Sequence, residues 1–111
     1  RFELYDVNEM LPEAKDMGAL IGSAIHELDN LFEHFPQFRK DPAVGESCLR
    51  IVELEDQGDR VYRHAVGRIF AEHGDAVHIL KWNSLLLQME NALDACKDVA
   101  NIVSGVVMKN A

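Results

Sequence analysis

The sequence predicts an all-α protein, and three observations support this fold class. Apolar residues recur at spacings of three and four over long stretches, and nothing alternates with period two. The 111 residues include only three prolines. Hydrophobic residues make up 48% of the chain, which is enough for one domain with a modest core. We therefore expect one elongated antiparallel three-helix bundle spanning residues 1–111.

The first predicted helix runs from about residue 10 to about residue 35. Pro12 suits its opening turn, where a missing N–H group costs nothing. Residues 1–7 would suit the tail of an earlier helix. The apolar stripe comprises Leu11, Ala14, Met17, Leu20, Ile21, Ala24, Leu28, Leu31, Phe32 and Phe35. Its acids are expected on a solvated face, or on a docking surface for basic loops of a partner: Glu9, Glu13, Asp16, Glu27, Asp29 and Glu33.

The second and third helices are defined by their capping residues. Asp41 followed by Pro42 combines a good N-cap with a good first helical residue, so the second helix starts there. It continues to about residue 73, where Gly74 can take the left-handed C-terminal conformation. Asp75 then caps a third helix that runs from about residue 76 to about residue 109. So short a turn makes these two helices antiparallel neighbours.

Charge and cysteine content restrict the partners. The net charge of -8 opposes binding to phosphate groups, so neither nucleic acid nor an anionic lipid surface is an expected partner. Apolar runs stay well short of the ~20 residues that span a bilayer, and no signal peptide precedes them, so we expect a cytoplasmic protein without membrane insertion. Cys48 and Cys96 form no Cys-x-x-Cys pair and are expected to be reduced structural thiols.

Two pairs of acidic residues lie beside the apolar arcs of the second and third helices. Glu55 and Asp59 are four residues apart, and Glu90 and Asp94 repeat this spacing. Glu90 and Asp94 lie in a polar strip along the third helix, with Asp98 at its edge. Carboxylates at this spacing stand ~5–6 Å apart on one helix face and repel one another unless a cation lies between them. On adjacent helices the pairs would surround one groove, where oxygen ligands suit Mg, Ca, Mn or Fe and also bind Zn. The alternative is that such pairs arise by chance on solvated faces.

Two further features of these helices point to close packing. Gly58 lies in mid-helix, where it costs ~1 kcal/mol relative to alanine but lets another helix or a ligand approach closely. Trp82 is expected in the core. The third helix carries a second apolar stripe, so it should be central in its bundle or contact an additional partner. That stripe consists of Ala92, Val99, Ile102 and Val106.

The segments "RIVELEDQGDRVYRHAVGRIF" and "ILKWNSLLLQMENALDACKDVANIVSGVVMKNA" resemble the C-terminal half of the PhoU-like phosphate-transport accessory proteins. These proteins are often encoded beside Pit-type phosphate transporters. Their Leu-Glu-x-x-Ala-Asp segment corresponds to residues 54–59, with Gly58 in the small-residue position. Their Ile-Lys-Trp start, Leu-Glu-x-x-x-Asp segment and Cys-x-Asp-Val-Ala-Asn segment correspond to residues 79–82, 89–94 and 96–101. The opening "RFELYDVNEMLPEAK" resembles the mid-chain junction of the family.

This resemblance implies a fold, a role and a cofactor. The family fold has two similar three-helix halves, of which this chain matches one. The implied role is that of a non-catalytic, cytoplasmic accessory or regulatory protein of inorganic phosphate transport, with the phosphate transporter or a regulatory kinase as partner. The implied cofactor is a divalent or trivalent metal ion, such as Fe, Zn, Mn or Mg. The implied metal ligands are Glu55, Asp59, Glu90 and Asp94, with Asp98 as a further candidate.

The family's N-terminal half, with its own copies of the motif, has no counterpart in this sequence. We therefore expect the chain to pack against such a half or to form a homo-oligomer. Either arrangement would cover the second apolar stripe of the third helix.

Two other functions remain open. A metal-dependent carboxylate-bundle enzyme would place Glu-x-x-His pairs facing inward. The nearest approach to that pattern is the stretch from Asp75 to His78, where helix capping explains the aspartate more simply. The other alternative is a helical interaction module that binds no metal.

Overall fold

The protein consists of three long helices packed side by side. The computed structural model describes residues 2–71 and 75–111, with side chains from residue 12 onward. Helix α1 spans Phe2–His34, α2 spans Ala43–Ala71 and α3 spans Ala76–Lys109, and a short 3-10 helix, Phe35–Gln37, follows α1. Each helix packs on the other two, giving a body of 54 × 21 × 15 Å. The described ranges contain no strand. The predicted all-α, elongated antiparallel three-helix bundle is therefore confirmed.

Helix α1 is longer than the sequence predicted. It begins at Phe2 rather than near residue 10, so residues 2–7 belong to the same helix and not to an earlier one. Pro12 lies inside the helix instead of in its opening turn. A proline removes one backbone hydrogen bond and usually kinks or ends a helix, but its fixed φ angle is helical. Because α1 stays helical on both sides of Pro12, both of these predictions were wrong.

The connection between α1 and α2 is fixed at both of its ends. Asp41 Oδ1 accepts a hydrogen bond from the backbone N–H of Ala43 at 2.9 Å, which confirms the predicted cap. Its other oxygen lies 2.7 Å from Nδ1 of His34, at the end of α1. Arg39 Nε donates to the carbonyl oxygen of Asn110 at 3.0 Å. The connection is thereby joined to the far end of α3.

The turn between α2 and α3 ends at the predicted cap. Asp75 has an extended backbone and its side chain accepts a hydrogen bond from the backbone N–H of His78 at 3.2 Å, so the cap is confirmed. The predicted end of α2 near residue 73 and the left-handed Gly74 lie outside the described residues.

The core runs along the length of the bundle, and its residues recur at spacings of three, four and seven. Both cysteines are buried and free. Phe32 was predicted in the α1 stripe but is 54% exposed, because the arc of α1 facing the other two helices is narrower than that stripe. The buried apolar residues are Met17, Ala24, Leu31, Val44, Cys48, Ile51, Ala65, Ile69, Trp82, Leu86, Leu93, Cys96, Ala100 and Val103.

Two acids of α1 form ion pairs with α2 instead of facing solvent. Arg68 Nε donates to Glu13 Oε2 at 2.8 Å, and Glu13 is only 7% exposed. Arg50 Nε lies 2.9 Å from Glu27 Oε2. Each guanidinium lowers the pKa of its carboxyl partner through this hydrogen bond. The prediction of a solvated face was wrong for these two residues, because arginines of another helix lie opposite them.

Over the described ranges, none of the three helices has the length and apolar character needed to cross a bilayer.

Candidate metal centre

The antiparallel pairing of α2 and α3 brings the two acid pairs into contact. The side chain of Glu55 is hydrogen-bonded to that of Asp94, and the side chain of Asp59 to that of Glu90. One carboxyl oxygen from each of Glu55, Glu90 and Asp94 lies within 4.8 Å of the other two. We call these three residues the carboxylate cluster.

The cluster lies in the seam between the helices, at positions where a helix normally carries apolar residues. The buried positions of α2 continue through Ile51, Glu55 and Gly58 to Ala65. Glu55 is 9% exposed and Glu90 is 7% exposed. The segment "ELEDQGD", residues 53–59, thus carries two kinds of acid. Glu55 is buried, whereas its other acids lie on or near the solvent side of α2.

Gly58 determines how closely the helices approach at this point. A Cβ atom at Gly58 would overlap Cδ1 of Leu93, whose side chain is fully buried, and would lie 3.8 Å from Oε1 of Glu90. The missing side chain thus leaves the space that Leu93 fills. This confirms the predicted close approach at Gly58.

Glu90 is the most strongly perturbed group of the cluster. Burial raises its pKa to about 7, and the hydrogen bond with Asp59 and the negative charges of Asp94, Asp59 and Glu55 contribute in the same direction. Two carboxyl groups can share a hydrogen bond only if one of them carries a proton. Oε1 of Glu90 is buried and has no hydrogen-bond partner among the described residues. Without a cation, Glu90 therefore holds a proton near neutral pH and leaves a buried oxygen unsatisfied.

The two acids of α2 have different surroundings. Arg63 forms an ion pair with Asp59 and lowers the pKa of that carboxyl group, helped by the hydrogen bond with Glu90. Burial raises the pKa of Glu55, as does its hydrogen bond with Asp94, while Lys97 acts in the opposite direction. The Lys97 ammonium lies 3.3 Å from Oε1 of Glu55. Asp59 thus belongs to the surface edge of the site and Glu55 to its interior.

The cluster has the dimensions and chemistry of a cation site. Oxygens bound to one ion are separated by at most twice the metal–oxygen distance, which is ~4–5 Å for Zn, Mg or Ca. The three oxygens lie within 4.8 Å of one another, which fits this span for Ca. Zn or Mg would have to draw them together by up to roughly 0.5–0.8 Å. The buried Oε1 of Glu90 has no partner among the described residues and is therefore available to a ligand, since buried polar atoms are nearly always partnered. A cation would bind that oxygen, displace the proton shared between the carboxyl groups and offset the repulsion among their negative charges.

The structure brings together some of the predicted site residues. Glu55, Glu90 and Asp94 form the cluster. Asp59 contacts it through Glu90, and Asp98 is exposed and lies outside it. The role of all five as metal ligands remains a prediction.

Lys97 was not among the predicted site residues. A signal for it existed, because Lys97 follows Asp94 by three residues and residues at this spacing share a helix face. Its contact with Glu55 on the opposite helix depends on how α2 and α3 pack, which the spacing does not give.

Histidines do not contribute to the cluster. His64 is exposed, as predicted, and its Nε2 lies 3.9 Å from Oε2 of Glu13. The group of possible ligand atoms found among the described residues contains only carboxylates. Asp75, the acid of the nearest Glu-x-x-His-like stretch, caps α3.

Two curated proteins are similar to this chain. It is 27% identical over 64 residues to the "UPF0111 protein YkaA" of Bacillus subtilis (strain 168), a match covering 58% of the chain and 31% of that protein. It is 26% identical over 113 residues to a "Putative pit accessory protein" of Rhizobium meliloti (strain 1021), which covers 96% of the chain and 51% of that protein. No family model and no solved structure match. The chain is thus a distant relative of both proteins and spans about half the length of the second and less of the first.

Proposed function

We propose that this chain is a three-helix unit of a non-catalytic accessory protein of inorganic phosphate transport, with a multivalent cation bound between α2 and α3. The transport role is supported by the name of the R. meliloti relative, whose similarity extends over 96% of the chain. The PhoU-like motifs in residues 51–111 support the same role. The expected partner is the cytoplasmic side of the transporter or a regulatory kinase.

The observation that carries the cation proposal is the state of Glu90. A carboxyl group that is 7% exposed, has one unpartnered oxygen and faces two other carboxyl groups is costly to bury without a counter-ion. Glu55, Glu90 and Asp94 would hold the cation, and the hard oxygen donor set suits Mg, Mn or Fe, with Zn also acceptable. Since its ligands come from two helices, the cation would join α2 to α3. We assign it a structural or sensory role.

Equilibrium dialysis tests the cation. The wild-type chain is dialysed separately against Mn²⁺, Fe²⁺, Zn²⁺ and Mg²⁺ and compared with the double variant Glu55→Gln/Asp94→Asn. The control is Asp56→Asn, which neutralises an exposed acid beside Glu55 that forms an ion pair with Arg60 at 3.4 Å. We expect the wild type and the control to bind at least one of the ions equally and the double variant to lose this binding. Equal, negligible uptake by all three would instead support the metal-free interaction module.

A cellular measurement tests the transport role. Phosphate uptake is compared in cells that lack the gene and in the same cells expressing the wild type, the control or the double variant. We expect the deletion to alter uptake, and the wild type and the control, but not the double variant, to restore it. Unaltered uptake in the deletion strain would contradict an accessory role. Turnover by the metal-loaded protein in an oxidase or hydrolase assay would support the enzyme alternative.

The proposal extends to a second three-helix unit that packs on the outward side of α3, supplied by another copy of the chain or by the N-terminal half of a longer protein. Leu80, Ile102 and Val106 are exposed on that side, and the R. meliloti relative is about twice as long as this chain. Light scattering should give a dimer mass for the wild type and a monomer mass for Ile102→Glu. Leu49→Glu, at an exposed apolar position of α2, serves as the control and should stay dimeric. A monomeric wild type would contradict self-association.

A further inference from the structure

We propose that Lys97 is a tethered counter-ion of the carboxylate cluster, which competes with the bound cation for Glu55. This inference rests on the cation site proposed above. It concerns a residue that none of the motifs or comparisons assigns to the site.

The position of Lys97 makes it a competitor. Its ammonium lies 3.3 Å from Oε1 of Glu55 and reaches that atom across the seam from α3. It lies one helical turn from Asp94 and interacts electrostatically with it as well. Lys97 therefore supplies a positive charge to two of the three acids that would bind a cation. An ammonium and a metal ion cannot share the same carboxylate oxygen at contact distance.

The side chain of Lys97 is also able to leave. It is 35% exposed, whereas the side chain of Glu55 is 12% exposed. The charge sits on a flexible four-carbon stem, so it can swing into solvent without disturbing the core. The acids cannot follow it, because their backbones are fixed by the packing of α2 on α3. The exchange therefore moves one side chain and leaves the helices in place.

The energetics favour the exchange. An ion pair between a solvent-accessible lysine and a carboxylate contributes little free energy, because water and salt screen it. A divalent ion contacts three carboxylates at once and satisfies the buried oxygen of Glu90, which Lys97 leaves unpartnered. Lys97 thus weakens cation binding without preventing it. Removing its charge should improve binding by up to about fivefold, the factor that corresponds to the upper range for such a pair.

An alternative role for Lys97 predicts the opposite sign. If Lys97 instead positions Glu55 for the cation, removing it would leave Glu55 mobile and binding would weaken. The conservative variant Lys97→Arg separates charge from side-chain length, because it keeps the positive charge and can still reach Glu55. Under the counter-ion hypothesis, this variant should bind no tighter than the wild type.

The experiment is isothermal titration of the full chain with Mn²⁺ alone. We compare the wild type with Lys97→Met, Lys97→Gln and Lys97→Arg. The control is Lys109→Met, an exposed lysine in the last turn of α3. We expect Kd to fall about three- to fivefold for the Met and Gln variants and to stay within about twofold for the control. Having two neutral variants keeps the test valid if one of them folds poorly.

The outcomes distinguish this inference from the proposed function. Wild-type binding with equal or weaker binding by both neutral variants would overturn the counter-ion role and leave the cation site standing. No Mn²⁺ uptake by the wild type or the neutral variants would overturn both. Thermal unfolding gives a second readout: Lys97→Met should be less stable than the wild type in chelator and should gain more from saturating Mn²⁺. Equal gains in the two proteins would count against the inference.

Discussion

Replacing Glu90 with glutamine should stabilise the metal-free protein, even though it removes a central residue of the candidate site. In the folded chain the pKa of Glu90 is about 7, compared with 4.5 for an unperturbed glutamate. The folded state therefore binds this proton more tightly than the unfolded state does. Ionisation of Glu90 begins to reduce stability as the pH rises above 4.5, and the full reduction is reached above pH 7. Glutamine keeps the shape of the side chain and carries no charge.

The size of the effect follows from these two pKa values. At ~1.36 kcal/mol for each pH unit, Glu90→Gln should raise the free energy of unfolding by about 3 kcal/mol at pH 8. The gain should shrink to less than about 1 kcal/mol at pH 5, where Glu90 of the folded wild type keeps its proton. Its amide can also donate a hydrogen bond to Asp59, as the protonated carboxyl group does.

Urea denaturation followed by circular dichroism, in the presence of a chelator at pH 5, 6, 7 and 8, measures this difference. Glu53→Gln makes the same chemical change at an exposed position of α2, and its stability should stay close to that of the wild type at every pH. In saturating Mn²⁺ the ranking should reverse, because only the wild type gains the binding free energy. A Glu90→Gln variant that is less stable than the wild type at pH 8, or whose gain is equal at pH 5 and pH 8, would refute the account of Glu90.

Four further substitutions test the packing and capping of the bundle. Gly58→Ala should lower the free energy of unfolding by about 1 kcal/mol, because overlap in the core outweighs the gain in helix propensity. Gly67→Ala meets open space and should raise the free energy of unfolding by up to ~1 kcal/mol. Urea denaturation of both variants measures these changes. Arg68→Met should cost about 2 kcal/mol near pH 7, since it leaves Glu13 buried without this partner. Because the folded-state pKa of Glu13 is lowered from 4.5, this loss should be complete above pH 4.5 and should vanish as the pH falls further, in denaturation curves from pH 3 to 7. Asp75→Ala should cost about 1 kcal/mol through loss of the α3 cap, as measured by thermal unfolding.

The helices and their order could be predicted because their signals are local. Asp41 and Asp75 are good caps wherever they occur, and the short turn before Asp75 forces α2 and α3 to be antiparallel neighbours. Equal spacing of acids on two such helices was sufficient to expect that they meet. The pairing of Glu55 with Asp94 was not predictable, because it depends on the relative shift of the two helices along their axes.

The remaining features depend on contacts between helices that are far apart in sequence. From the sequence, Glu13 cannot be distinguished from a solvated acid of an amphipathic helix. Its ion pair with Arg68, which lies 55 positions away, exists only in the folded bundle. Lys97 was overlooked for the same reason. Pro12 was misplaced because the rule that proline ends a helix is statistical, and the bundle overrides it.

The packing of Leu93 against Gly58 fixes the position of α3 along α2. Sliding one helix along the other by a turn, ~5.4 Å, would push the leucine against a residue that has a side chain. Hydrophobic burial of Leu93 thus fixes the alignment at which three mutually repelling acids face one another. The backbone around a bound cation would therefore be preorganised, because folding already fixes it. Uptake should accordingly be rapid and should leave the backbone where it is.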